Sequence, residues 1–204
     1  MLSEWSTECS VDDPVLVVPW SNEDGSLHWV DLRAEMRDDP EFDDGLDEIH
    51  EADAHPALLG TLRTLNAARS PVFTAKCDVW IMDEDELSAL RMDLMLDDGV
   101  AEAGITSYND LLWRERRIFI SRHQAEQLLH RLDRLAGELP NSLAKLECIL
   151  RPAVIELDGV VQEGYAVSMY VKGCGVDADE AETRWGAALR DVARLLRSRD
   201  MSLL

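Results

Sequence analysis

The chain has 204 residues, 46% of them hydrophobic, with 41 acids against 20 bases and a formal net charge of −21. At this size roughly 65–75% of the unfolded surface is buried on folding, which excludes a wholly disordered protein. The longest apolar runs, such as Val15 to Val18, fall far short of the ~20 residues of a membrane span, and the shortage of Lys and Arg argues against nucleic acid as a partner.

The chain opens on an acidic tail. Glu4, Glu8, Asp12 and Asp13 stand where a secretory signal would carry Lys or Arg followed by an apolar run. Cys9, Cys77, Cys148 and Cys174 are scattered and form no C-x-x-C pair, so reduced thiols and a cytoplasmic protein are expected. Pro14 to Trp20 reads as a short buried strand, with Leu27 to Val30 after the Asp24-Gly25 turn as its hairpin partner. Asp31 to Asp53 then holds eleven acids against only Arg33 and Arg37, a density that favours hydration over packing.

His55 to Arg69 places Leu58, Leu59, Leu62 and Leu65 at helical spacing behind Pro56, and ends before Ser70-Pro71. Val72 to Met82 reads as a strand with Phe73, Ala75, Cys77, Val79 and Ile81 on its inner face. Asp83 and Glu86 form a capping box for a helix whose stripe is Leu87, Leu90, Leu94 and Met95. A Gly-containing connection leads to a short strand at Arg116 to Ile120 and a helix from Arg122 to Ala136.

Asp158-Gly159 joins Lys145–Leu157 to Val160–Lys172 as a hairpin, with Pro152 marking an edge or a bulge. A closing helix from Asp177 to Ser198 starts acidic and ends basic, as the helix dipole favours, with Trp185, Ala188, Leu189, Val192, Leu195 and Leu196 facing inward. This order predicts an α+β fold: a mixed, largely antiparallel sheet with helices packed on one face and an acidic N-terminal elaboration. We read residues 1–204 as a single domain, and a subdomain boundary, if present, falls near 98–112.

Charge is unevenly divided. Residues 1–110 hold 27 acids and 6 bases and so carry the whole net charge, whereas residues 111–204 hold 14 of each. Arg outnumbers Lys 17 to 3, a bias that with high acidity could mark salt adaptation, but a salt-adapted surface would be acidic throughout. The expected partner is a basic protein, steered by Asp38, Asp39, Asp43, Asp44, Asp47 and Glu48 and anchored by Trp5, Trp20 and Trp29. Core packing is the alternative role for the three tryptophans. The short basic run Arg114, Arg116 and Arg117 could pair with the acidic half of a second copy, giving a homo-oligomer.

One cluster suggests metal chemistry. His50, Glu51, Asp53 and His55 supply the donor types of a divalent-metal site, with His28 or Glu48 to complete it, yet the histidines are five apart rather than the four of a metalloprotease helix. A solvated loop with Asp53 or His55 near the following helix cap is the simpler account of these residues, and catalytic acid/base use is a further alternative. Gly173-Cys174-Gly175 with Ala178 resembles a dinucleotide loop, but the helix it opens is acidic where a pyrophosphate would sit. No cofactor is expected beyond that metal, and Cys77, Cys148 and Cys174 lack a spaced His partner. The expected function is a non-enzymatic interaction protein of the inhibitor, immunity or escort type. The alternatives are a metal-dependent hydrolase using the His50 to His55 cluster, and a subunit of a larger assembly.

Overall fold

The computed structural model describes residues 1–20, 32, 49–97, 99–198 and 201, without the side chains of His50 and Glu51. Its described elements are β1 (Leu2–Thr7), β2 (Leu16–Val18), α1 (His50–Ala54), α2 (Pro56–Asn66), β3 (Val72–Ile81), α3 (Glu84–Asp93), β4 (Ala103–Trp113), α4 (Arg122–Gly137), β5 (Ala144–Leu157), β6 (Val160–Gly175) and α5 (Ala178–Leu196). The strands form one mixed six-stranded sheet of order β1-β5-β6-β4-β3, with β2 also on β5. The pairs β3–β4, β4–β6 and β5–β6 are antiparallel; β1 and β2 run parallel to β5. This is the expected α+β class.

The β5–β6 hairpin turns at Asp158 and Gly159, both at positive φ (55° and 72°), the two-residue geometry that Asp-Gly favours. Pro152 falls between the stretches of β5 paired with β1, ending at Leu150, and with β2, starting at Ala153. A residue without an N–H is tolerated where that edge has no partner. β4 runs through the stretch where a boundary would fall and pairs with strands of both halves.

Alternation along the strands gives the sheet two different faces. Leu146, Cys148 and Leu150 of β5, Val167, Met169 and Val171 of β6, and Ile105 and Leu111 of β4 share a core with α2, α4 and α5. Leu58, Leu62 and Leu65 of α2, Leu128, Leu129 and Leu132 of α4, and Trp185, Leu189, Val192 and Leu196 of α5 are all nearly inaccessible. Gly173 lets α5 approach: a Cβ there would lie 2.6 Å from the Trp185 backbone nitrogen. Neither Gly173 nor Gly175 has positive φ, so these glycines serve close helix–strand contact rather than a turn.

Several expectations need correction. The acidic tail is β1, held parallel to β5. Pro14 to Trp20 contributes only the three residues of β2, of which Val18 alone is buried, and its described partner is β5. The proposed partner Leu27 to Val30 lies outside the described residues. The Gly-containing connection holds an eleven-residue strand, β4, while Arg116 to Ile120 makes only the isolated bridges Trp113–Arg117 and Phe119–Tyr165. Ile81 is 66% exposed and Met95 91% exposed; the register shift between Thr74 and Lys76 breaks the expected alternation of β3. Asp83 does form the capping box with Glu86.

Candidate functional site: a polar sheet face with a cleft

The second face of the sheet carries few helices. At one end α3 covers it, burying Leu87 and Leu90 against Met82, Ala101 and Cys174. At the other end Val18, Phe73, Leu112, Ile118, Ile155 and Ala166 form a separate apolar cluster. Between them lies a belt of polar side chains in cross-strand register: Lys145 opposite Lys172, Glu147 opposite Tyr170, Tyr108 opposite Tyr170, Asp110 opposite Ser168, and Lys76 opposite Asp110.

Much of this belt is internally paired. Lys145 is buried, yet its Nζ meets Glu4 Oε1 at 2.5 Å and Asp93 Oδ2 at 2.6 Å, tying β1 and α3 to β5. Burial pulls the lysine pKa down, and the hydrogen bonds to Asp93 and Glu4 more than reverse this, leaving it above the usual lysine range. Lys172 pairs with Glu147 at 2.6 Å, and Arg151 with Glu8 at 2.9 Å.

Where the segment Pro14–Trp20 crosses the sheet it encloses a cleft of about 460 Å³, whose walls include Trp20, Lys76, Tyr108, Asp110 and Arg151. Asp110 is fully buried; Ser168 Oγ donates to its Oδ1 at 2.6 Å, and its Oδ2 has no hydrogen-bond partner among the described residues. Burial raises the carboxyl pKa above its ordinary value, opposed by the Ser168 hydrogen bond, the neighbouring Tyr108 hydroxyl and the charges of Arg151 and Lys76. Burial, with the Asp110 charge, also raises the Tyr108 phenol. The Lys76 ammonium sits over the Trp20 ring, 4.9 Å from its centroid. Arg151 Nε is buried without a hydrogen-bond partner among the described residues. Nothing in composition or spacing marked Asp110, Arg151 or Lys76; only the strand register brings them together.

The sequence-derived candidates are spread over other places. Trp5 lies on the helix-covered face, half-buried, with its ring edge-on to His130 of α4 at 4.7 Å. Trp20 borders the cleft. Trp29, Asp38, Asp39, Asp43, Asp44, Asp47, Glu48 and His28 lie outside the described residues. Of the metal cluster, His50 and Glu51 begin α1, Asp53 on the same helix is exposed, and His55 caps α2. His55 Nδ1 stands 3.4 Å from Glu182 Oε1, and its ring is edge-on to Trp185 at 5.6 Å. Among the described residues no three His, Cys, Asp or Glu side chains gather into a metal-holding group.

The thiols are buried or half-buried. Burial pushes Cys174 up to about 11 and raises Cys148 and Cys9 as well, the opposite of an activated nucleophile. Among the described residues no helix is long and apolar enough to cross a membrane. No protein-family model, curated protein or solved structure matches this chain.

Proposed function

We propose that the protein is a cytoplasmic, non-enzymatic interaction module whose acidic N-terminal half captures a basic protein partner, as an inhibitor, immunity-type or escort protein would. The observation that carries this reading is the segregation of charge: the entire −21 belongs to residues 1–110. The few described cations of that half do not offset it. Arg91 is engaged by Glu84 at 3.0 Å and by the Ala101 carbonyl, and Lys76 rests on Trp20. A concentrated negative field raises association rates with a positive surface, while retained affinity comes from apolar anchors, for which Trp20 and Trp29 are the candidates.

The test is capture by immobilised protein at about 50 mM and then about 500 mM salt, between which the Debye length falls from about 14 to 4 Å. The supporting result is a stoichiometric basic protein whose association rate drops with salt, and drops again when Asp38, Asp39, Asp43, Asp44, Asp47 and Glu48 become amides. Unchanged capture by that variant overturns the electrostatic reading.

A further inference from the structure

We propose that the cleft beneath the Pro14–Trp20 segment is a binding site for a small zwitterion of the α-amino-acid or dipeptide class, with the ligand ammonium on Asp110 and its carboxylate on Lys76 and Arg151. This stands independently of the interaction reading. The starting point is the buried, half-satisfied carboxylate: Asp110 belongs to the wall of the cleft, Ser168 takes its Oδ1, and Oδ2, buried just behind the cleft surface, has no hydrogen-bond partner among the described residues. A buried carboxylate oxygen without a donor is costly to the fold, and a ligand that supplies the donor recovers that cost.

Charge placement selects the ligand class. A simple anion would be attracted by Lys76 and Arg151 and repelled by Asp110; a simple cation would meet the reverse. Only a molecule carrying both signs satisfies all three. The separation is also set by the sheet. Lys76 and Asp110 are direct cross-strand neighbours on β3 and β4, which places their Cβ atoms about 5 Å apart. Ligand charges a few bonds apart, as in an α-amino acid, suit a site whose opposite charges spring from adjacent positions of the sheet.

Lys76 acts on Asp110 through its charge and not through a hydrogen bond among the described residues, since its ammonium is drawn onto the Trp20 ring. Arg151 brings a second positive charge to the cleft wall, with Glu8 on one guanidinium nitrogen at 2.9 Å. Trp20 and the neighbouring Pro19 provide an apolar wall for a ligand side chain. The volume of about 460 Å³ accommodates an amino acid or dipeptide and lies within the range of small-molecule sites.

The experiment is calorimetric titration of the full chain with each of the twenty amino acids and with dialanine, alongside acetate and ethylamine as half-ligands. The expected result is saturable binding of at least one zwitterion with Kd below about 1 mM. Acetate and ethylamine should each bind at least about tenfold more weakly, because neither satisfies both charges. Asp110→Asn should weaken the zwitterion at least about tenfold, since a neutral amide cannot pair with an ammonium. Asp78→Asn, an exposed acid on the same face outside the cleft, should leave binding unchanged. Three results overturn the proposal: no zwitterion saturates, Asp110→Asn binds as tightly as the parent with its melting transition intact, or acetate binds as tightly as the amino acid.

Discussion

Lys145 offers a quantitative test of how β1 and α3 are held to the sheet. Its side chain is 4% exposed, whereas Glu4 and Asp93, the carboxylates that neutralise it, are 50% and 44% exposed. At an effective dielectric of about 20, each contact near 2.5 Å has a gross attraction of roughly 6 kcal/mol, which half-exposed acids and lysine desolvation reduce severely. Glu4→Gln or Asp93→Asn alone leaves the ammonium one partner and should cost about 0.5–1 kcal/mol. The double variant strands a buried cation and should cost about 3–4 kcal/mol, well beyond the additive expectation.

For a chain of this size that loss lowers the melting temperature by roughly 8–12 °C. Lys145→Met should restore most of the loss in the double background, because it removes the uncompensated charge and keeps the volume. Urea unfolding with unchanged m reads all four states of the cycle. Additive losses in the double variant would show that water reaches the ammonium and would refute the argument. The pH dependence has a fixed sign. A lysine raised above 10.5 in the fold contributes stability that is fully present below pH 10.5 and disappears as pH rises through its folded value, so Lys145→Met should lose that alkaline sensitivity.

Other outcomes follow from single contacts. Asp83→Ala removes the acceptor of the Glu86 N–H while keeping the reciprocal bond from its own backbone N–H to Glu86 Oε2, costing about 1 kcal/mol by urea unfolding. Gly173→Ala drives a methyl to 2.6 Å from the Trp185 backbone and should cost about 1–3 kcal/mol, with a changed near-UV signal from Trp185. Asp110→Asn should stabilise the ligand-free protein at pH 7 by about 1–2 kcal/mol, by removing a buried charge. Asp110 faces Lys76 of β3, Tyr108 of β4, Arg151 of β5 and Ser168 of β6; with its pKa still raised, its contribution is fully present below pH 3.8 and lost as pH rises through the folded value. The advantage of the asparagine should therefore vanish in acid, as pH-dependent unfolding would show. Cys148 and Cys174, buried and with raised pKa values, should resist thiol reagents at pH 8 until the protein unfolds.

Elements with one polar and one apolar side were legible from sequence. The Leu58, Leu62 and Leu65 stripe of α2, the Asp83 capping box and the Asp158-Gly159 turn are local signals, and the structure realises each near its expected place. β4 was hidden because it is buried on both faces, and central strands lose the alternation that identifies a half-buried one. Its Thr106, Ser107, Asn109 and Asp110 read as a polar connection, yet all four are almost inaccessible. β1 was missed because four of its six residues, Ser3, Glu4, Ser6 and Thr7, are polar; Glu4 is tolerated there by pairing with Lys145, a residue some 140 positions away. No local rule anticipates that contact.

The buried polar groups of β4 show why the cleft could not be read from the chain and why it differs from scaffold. Ser107 faces the helices, and the Trp185 indole donates to its Oγ at 3.0 Å, so the polar group fixes how α5 seats on the sheet. Asp110 faces the other way, in the wall of the cleft beside Pro14–Trp20, where Ser168 satisfies one oxygen and the other has no partner among the described residues. Asn109, on the helix side, also lacks partners for both amide atoms among the described residues, so an unsatisfied group alone does not define a site. What separates Asp110 from Asn109 is the company it keeps: a cavity, two cations and an aromatic wall, all from different strands or from the crossing segment. An apolar residue at position 110 would suit the fold better than a buried acid beside open space. The carboxylate makes physical sense there if something that enters the cleft brings it a proton donor.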